Sequence, residues 1–93
     1  MQTPYGEIDL VARDDDTLVF IEVKTRRGDG VVDLWELVRA AQRKRIGRSA
    51  RYYLARVRPG VRHYRFDLIV VGLSPGGRPA IRWLRNAWSE GDP

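Results

Sequence analysis

Two runs decide the fold: Gly6-Glu7-Ile8-Asp9-Leu10-Val11-Ala12-Arg13 and, after the acidic turn Asp14-Asp15-Asp16, Leu18-Val19-Phe20-Ile21-Glu22-Val23-Lys24. Strand-like runs on either side of a short polar turn predict a β-hairpin. Asp and Glu are depleted from strands, so Asp9, Glu22 and the adjacent Lys24 break a local rule. Such departures gather at functional sites. Alternation over Glu7–Arg13 predicts Ile8, Leu10 and Ala12 on one face and Glu7, Asp9, Val11 and Arg13 on the other. The second run, Thr17–Thr25, is apolar on both faces as far as Glu22, the pattern of a central strand covered on both sides. Its parity sets Phe20, Glu22 and Lys24 against Val19, Ile21 and Val23.

Working outward, Thr3-Pro4-Tyr5-Gly6 reads as an extended approach to the first strand, because the residue before a proline avoids the helical region. After the hairpin, Arg26-Arg27-Gly28-Asp29-Gly30 reads as a flexible basic loop. One long helix is expected from Asp33 to Val57, with Asp33 as N-cap and Glu36 three residues on as a capping-box partner. Its buried stripe is Leu34, Leu37, Val38, Ala41, Ile46, Ala50, Tyr53, Leu54 and Val57. Gly47 inside it permits a close approach or a bend, and Pro59-Gly60 ends it. A third strand is expected over His63–Gly72 and a turn over Ser74–Gly77. A short last strand follows at Ala80–Leu84, then a helical turn at Asn86–Trp88 and a frayed tail from Ser89. Hairpin, long helix and two strands give an α/β domain with a mixed four-stranded sheet, one face of which a single helix cannot cover.

The 93 residues are expected to form one domain, 1–93. A hydrophobic share of 43% is ordinary for a folded chain and argues against disorder. No apolar run approaches the roughly 20 residues of a membrane span, there is no signal-peptide pattern, and cysteine is absent. The expectation is a cytoplasmic protein with no membrane partner. The net charge of +5 is unevenly spread: residues 36–65 hold ten bases and the single acid Glu36. Clustered Arg and Lys attract polyanions by Coulomb attraction and counterion release, although an Arg-rich helix face can also be simply solvated. Arg26, Arg27, Arg39, Arg43 and Lys44 are the candidate DNA-phosphate contacts.

Glu22 and Lys24, two apart on a strand, project from one face, and Asp9 on the neighbouring strand reaches the same point. Two carboxylates with a few waters suit Mg²⁺ or Mn²⁺, with the Val23 carbonyl as a further ligand. A metal so held polarises a phosphodiester and acidifies a bound water. Lys24 then orients or deprotonates the attacking water, or neutralises charge on the phosphate. Glu7 shares the Asp9 face, placed to hold a second metal or orient a water, or simply a solvated strand-edge acid. Asp67 is expected to pair with Arg65 or a helix Arg in a structural role. His63 has no second His with which to share a metal. Trp35, Trp83 and Trp88 suit base stacking, or core and interface packing.

This constellation resembles the PD-(D/E)xK nuclease superfamily, with Asp9 as the first acid and Glu22-Val23-Lys24 as the ExK element. The fuller text, Gly6-Glu-Ile-Asp-Leu-Val-Ala, then Leu18 through Arg26, then Arg65-Phe-Asp-Leu-Ile-Val70, resembles the YraN-like family of bacterial endonuclease-like proteins, similar in fold to archaeal Holliday junction resolvases. The resemblance implies a restriction-endonuclease-like core. It also implies a metal-dependent endonuclease hydrolysing phosphodiester bonds of DNA, branched or structured DNA included. Asp9, Glu22 and Lys24 are catalytic in that reading, and Asp9, Glu22 and Val23 hold the metal. Where the family carries Lys on the helix this chain has Gln42, with Lys44 nearby, which makes Gln42 an accessory candidate. Against the family pattern the chain is N-terminally short, without the usual first helix, its Glu, and a strand. That predicts a homodimer burying the exposed sheet edge or face. The alternatives are a noncatalytic nucleic-acid-binding module derived from a nuclease fold, and a structural protein–protein module.

Overall fold

The computed structural model describes residues 1–27, 33–57, 60–74 and 76–90. Gly28 to Gly30 of the expected basic loop, Pro59, Pro75, the side chain of Val57 and the last three residues lie outside them. The elements are β1 (Gln2–Thr3), β2 (Gly6–Glu7), β3 (Leu10–Asp14), β4 (Thr17–Arg27), α1 (Leu34–Leu37), α2 (Ala40–Val57), β5 (His63–Leu73) and β6 (Ala80–Trp88). The four long strands form one sheet in the order β3-β4-β5-β6. β4 runs parallel to β5, and the β3–β4 and β5–β6 pairs are antiparallel. This is the mixed α/β sheet expected, consistent with a restriction-endonuclease-like core.

β4 is central, and its pleat divides the molecule. Leu18 and Phe20 face the helix side, where they join Phe66, Leu68 and Val70 of β5, Ile46 and Ala50 of α2, Val38, Ile8 and Trp88 in one apolar cluster. Glu22 continues that same face, opposite Leu68 in register. The basic residues of β4 lie in the strand itself, since it extends through Arg26 and Arg27 instead of ending at Thr25.

Several local expectations are corrected. The first strand is not continuous: Gln2–Thr3 and Gly6–Glu7 pair as a small hairpin of their own, so the approach through Pro4 and Tyr5 is a turn. The chain then bends at Ile8–Asp9 before β3 begins. A break in a strand resets the two-residue alternation. Ile8 is therefore buried, Leu10 is 51% exposed, and Val11, not Leu10, packs on the core.

The long helix is also divided. Asp33 caps α1 as expected, its carboxylate accepting from the Trp35 N–H at 2.9 Å. Val38 is then extended and fully buried, and α2 starts at Ala40. Arg43 Nη1 donates to the Val38 carbonyl at 2.6 Å, satisfying an acceptor that the break would otherwise orphan. In α2, Ile46 and Ala50 are buried as expected, while Ala41 is exposed. Gly47 is buried under the Glu90 carboxylate, which an added Cβ would meet at 3.1 Å.

The last strand runs on to Trp88 through a register shift, with Asn86 in the left-handed region at φ 49°. The expected helical turn at Asn86–Trp88 is therefore strand. Trp88 stacks on Phe66 with centroids 5.4 Å apart, a core contact that outweighs the local turn signal. Beyond it Glu90 is tied to Arg51 and accepts from the Tyr64 hydroxyl at 2.7 Å, so Ser89–Glu90 is not a frayed end.

The far face of the sheet carries Val19 and Ile21 of β4, Leu10 and Ala12 of β3, Ile69 of β5, and Ile81 and Trp83 of β6. Neither helix lies over it; Leu10, Trp83 and Ile81 are 51, 50 and 71% exposed. Asp67 is wholly buried in that face. It accepts from Arg65 at 3.0 and 3.3 Å, from Trp83 Nε1 at 2.9 Å and from the Asn86 N–H at 2.9 Å. Burial pushes its carboxyl up, but the Arg65, Asn86 and Trp83 hydrogen bonds and the Arg65 charge together hold it below 3.8. Asp67 pairs with Arg65, as expected. Among the described residues no helix is long and apolar enough to cross a membrane.

Candidate functional site

The site lies just before β3 starts. The first pair of β3 with β4 is Leu10↔Ile21, so the next backbone donor on that side of β4, the Val23 N–H, lies beyond the β3 pairing. Asp9, in the bend before β3, fills that place: its Oδ2 accepts from Val23 N at 2.9 Å. The bend that spoils the strand alternation is thus what aims the carboxylate at β4. Residues of a ladder present N–H and C=O to the same side, so the Val23 carbonyl points toward the same gap.

Glu22 lies next to this clamp and is 8% exposed. Burial raises its carboxyl from the ordinary 4.5 to about 7, with further contributions from a side-chain hydrogen bond to Asp9 and from the Asp9 charge. Lys24, with its Nζ 3.9 Å from Glu22 Oε1, and Arg45 oppose the rise. Two carboxyl groups, the buried Glu22 and the exposed Asp9, are close enough to act on each other, with a lysine just beyond them. Such pairs are characteristic of sites that hold a cation or move a proton. The structure therefore brings Asp9, Glu22 and Lys24 together: Glu22 and Lys24 share one face of β4, and Asp9 joins them through a bend and a backbone clamp.

The remaining candidates are scattered. Glu7 is exposed on β2, opposite Gln2, separated from Asp9 by the buried Ile8. Gln42 is half-buried on α2, and Lys44 and Arg39 are exposed at its start. Arg27 is exposed and Arg26 half-buried at the end of β4. Arg43 is turned inward at 7% exposure, holding the Val38 carbonyl and lying 4.3 Å over the Trp35 ring; it serves the helix break and not the basic surface. Trp88 is core, and Trp35 and Trp83 are exposed.

One residue escaped the sequence reading. Arg45 crosses the β1–β2 hairpin so closely that a Cβ on Gly6 would meet its Cδ at 3.2 Å, and its charge acts on Glu22. Helical phase carried a usable signal: Arg45 stands three residues after Gln42 and four before Ser49. The Ser49 hydroxyl hydrogen-bonds Thr3 of the hairpin at 2.7 Å.

The donor set also bounds the metal chemistry. Among the described residues no group of three or more His, Cys, Asp or Glu could hold a metal ion. Asp9 and Glu22 stand as a carboxylate pair with no third such ligand beside them among the described residues. Such a pair fits Mg²⁺, which is commonly held by one or two carboxylates and completes its shell with waters and substrate phosphate. Two crowded carboxylates, one held toward neutrality, are also the arrangement that a divalent cation relieves.

Residues 1–71 match the profile of an uncharacterised protein family, UPF0102. The chain is 46% identical over 83 residues to a UPF0102 protein of Symbiobacterium thermophilum, covering 89% of this chain and 70% of that one. A UPF0102 protein of Nocardia farcinica is 46% identical over 81 residues, covering 87% and 64% of the two chains. One of Nitrosomonas europaea is 41% identical over 86 residues, covering 92% and 70%. The chain thus spans between 64 and 70% of the length of these relatives.

Proposed function

This chain belongs to the UPF0102 family, which is the YraN-like family its motifs resemble, and on that premise we propose that it is a metal-dependent DNA endonuclease. The observation that carries the reading is the meeting of Asp9, Glu22 and Lys24 at one point beside the start of β3. A core of packed apolar side chains explains neither a buried glutamate held near neutrality nor an aspartate used as a backbone clamp.

In this reading Asp9 and Glu22, with the Val23 carbonyl, hold Mg²⁺ or Mn²⁺. When bound, the ion supplies Lewis acidity to a phosphodiester and to a water. The residues do the rest. The Val23 N–H fixes the Asp9 carboxylate through Oδ2. Glu22, buried beside Asp9, would serve as a ligand in its ionised form. Lys24 places an ammonium next to Glu22, where it orients the attacking water or offsets charge growing on the phosphate. Arg45 adds a second cation on the hairpin side. Arg27, Arg39, Lys44 and Arg26 hold the DNA backbone. Branched or structured DNA is the substrate class that the family resemblance suggests.

Calorimetry tests the metal centre: Mn²⁺ binding that is lost in both Asp9→Ala and Glu22→Ala supports the reading, and Mn²⁺ binding unchanged in them contradicts it. The uncovered sheet face supports a companion proposal, a homodimer that buries the Leu10, Ile81 and Trp83 surface.

A further inference from the structure

A second surface lies along α2, away from the carboxylates. Arg45, Arg48, Tyr52 and Arg56 follow one another at spacings of three, four and four, so they form one stripe on the helix. At 1.5 Å per residue the stripe is about 17 Å long. Beside it Tyr5, at the tip of the β1–β2 turn, is 49% exposed and meets Tyr52 edge to face, with centroids 6.3 Å apart and planes at 75°. Tyr5, Tyr52, Arg48 and Arg51 line a cleft of about 470 Å³. Arg51 is anchored by Glu90, and the Arg56 guanidinium lies 4.8 Å over the Tyr52 ring. Neither tyrosine belongs to the apolar core, so packing does not account for the pair.

Two rings set as a corner let a flat group lie against one while meeting the edge of the other. Arginines along the same line suit phosphates. Aromatic rings between cations on a tracking groove are the recognition chemistry of unpaired nucleic acid; an acidic peptide would use the arginines but not the ring corner. The stripe starts at Arg45, whose charge reaches Glu22, and leads away from the site. We propose that Arg45, Arg48, Tyr52 and Arg56 with Tyr5 form a track for a single DNA strand leaving the carboxylate site, one base seated in the Tyr5–Tyr52 corner. At 3.4 Å per nucleotide the track accommodates about five nucleotides. The direction of the strand rests on the endonuclease reading; the stacking does not.

The test is fluorescence anisotropy with a labelled twelve-nucleotide oligo-dT and a blunt duplex of the same length, in chelator so that no cleavage contributes. Tyr52→Ala and Tyr5→Ala are expected to weaken oligo-dT binding at least about five-fold and to leave the duplex within two-fold. Tyr52→Phe, which keeps the ring, retains native affinity. Arg48→Gln makes the salt dependence shallower by about 0.7 in log–log slope. Thermal melting of each variant verifies its fold, and Tyr52→Phe keeps the test valid should an alanine variant unfold. The proposal is overturned by oligo-dT affinity unchanged in Tyr52→Ala, by equal losses for strand and duplex, by native protein that does not bind oligo-dT, or by poly-glutamate competing as well as oligo-dT. Tyrosine-dependent strand binding by a protein that cuts no DNA would remove the endonuclease reading and leave the stacking corner intact.

Discussion

Glu22→Gln removes the carboxyl that the fold holds least willingly in its charged form. The folded state raises that group from 4.5 to about 7, chiefly by burial and secondarily through Asp9. At about 1.4 kcal/mol for each pH unit of displacement, the cost of ionising Glu22 in the fold is about 3 kcal/mol. The sign follows from proton linkage. Between pH 4.5 and 7 the folded state binds more protons than the unfolded chain, so stability falls as pH rises across that window and levels off above it. The glutamine variant has no titratable group at this position and suffers no such loss. It is expected to match the native protein at about pH 4.5 and to exceed it by about 3 kcal/mol at about pH 8.5. Urea unfolding of both proteins at a series of pH values, in chelator, measures the difference and cancels every other titration. Equal stabilities at the alkaline end, or a difference that does not grow as the pH rises from 4.5 to about 7, would refute the crowded-carboxylate account.

Asp67→Ala leaves the Arg65 guanidinium, Trp83 Nε1 and the Asn86 N–H without their buried acceptor, and is expected to cost about 3 kcal/mol in urea unfolding at neutral pH. Because the Asp67 carboxyl sits below 3.8, its contribution is full above that pH and is lost as pH falls through the folded value, so the gap between variant and native protein closes in acid. Trp88→Ala removes the ring stacked on Phe66 and is expected to cost about 3–5 kcal/mol by the same measurement. Sedimentation equilibrium is expected to find a native dimer and an Ile81→Glu monomer; a native monomer would end the dimer proposal.

Particular residues show what the sequence could and could not say. The placement of β4 was legible because a strand apolar on both faces has to be central, and Glu22 and Lys24 stood out against that background. The meeting of Asp9 with Glu22 was legible as proximity but not as geometry. The apolar-charged alternation continues through Ile8 and Asp9 in the sequence, whereas the chain bends there and Asp9 clamps the Val23 N–H. The helix break at Val38 was hidden because apolar spacing continues across it; Arg43, five residues on, makes the break tolerable. β6 runs beyond its sequence signal for a related reason. Asn86 carries turn chemistry, yet Trp88 gains more by stacking on Phe66 than the chain loses at the bulge. At the Asp9 bend and at Trp88 a contact between residues distant in sequence overrode a local preference.

The central claim is that Asp9, Glu22 and Lys24 form a hydrolytic centre. Incubation of the protein with a labelled four-way DNA junction in Mn²⁺ or Mg²⁺ tests it most directly. The account predicts metal-dependent phosphodiester cleavage that Asp9→Ala, Glu22→Gln and Lys24→Ala each reduce at least about 100-fold. Salt-sensitive junction binding that persists in all three variants, with no cleavage by the native protein, would contradict it and identify a noncatalytic DNA-binding module.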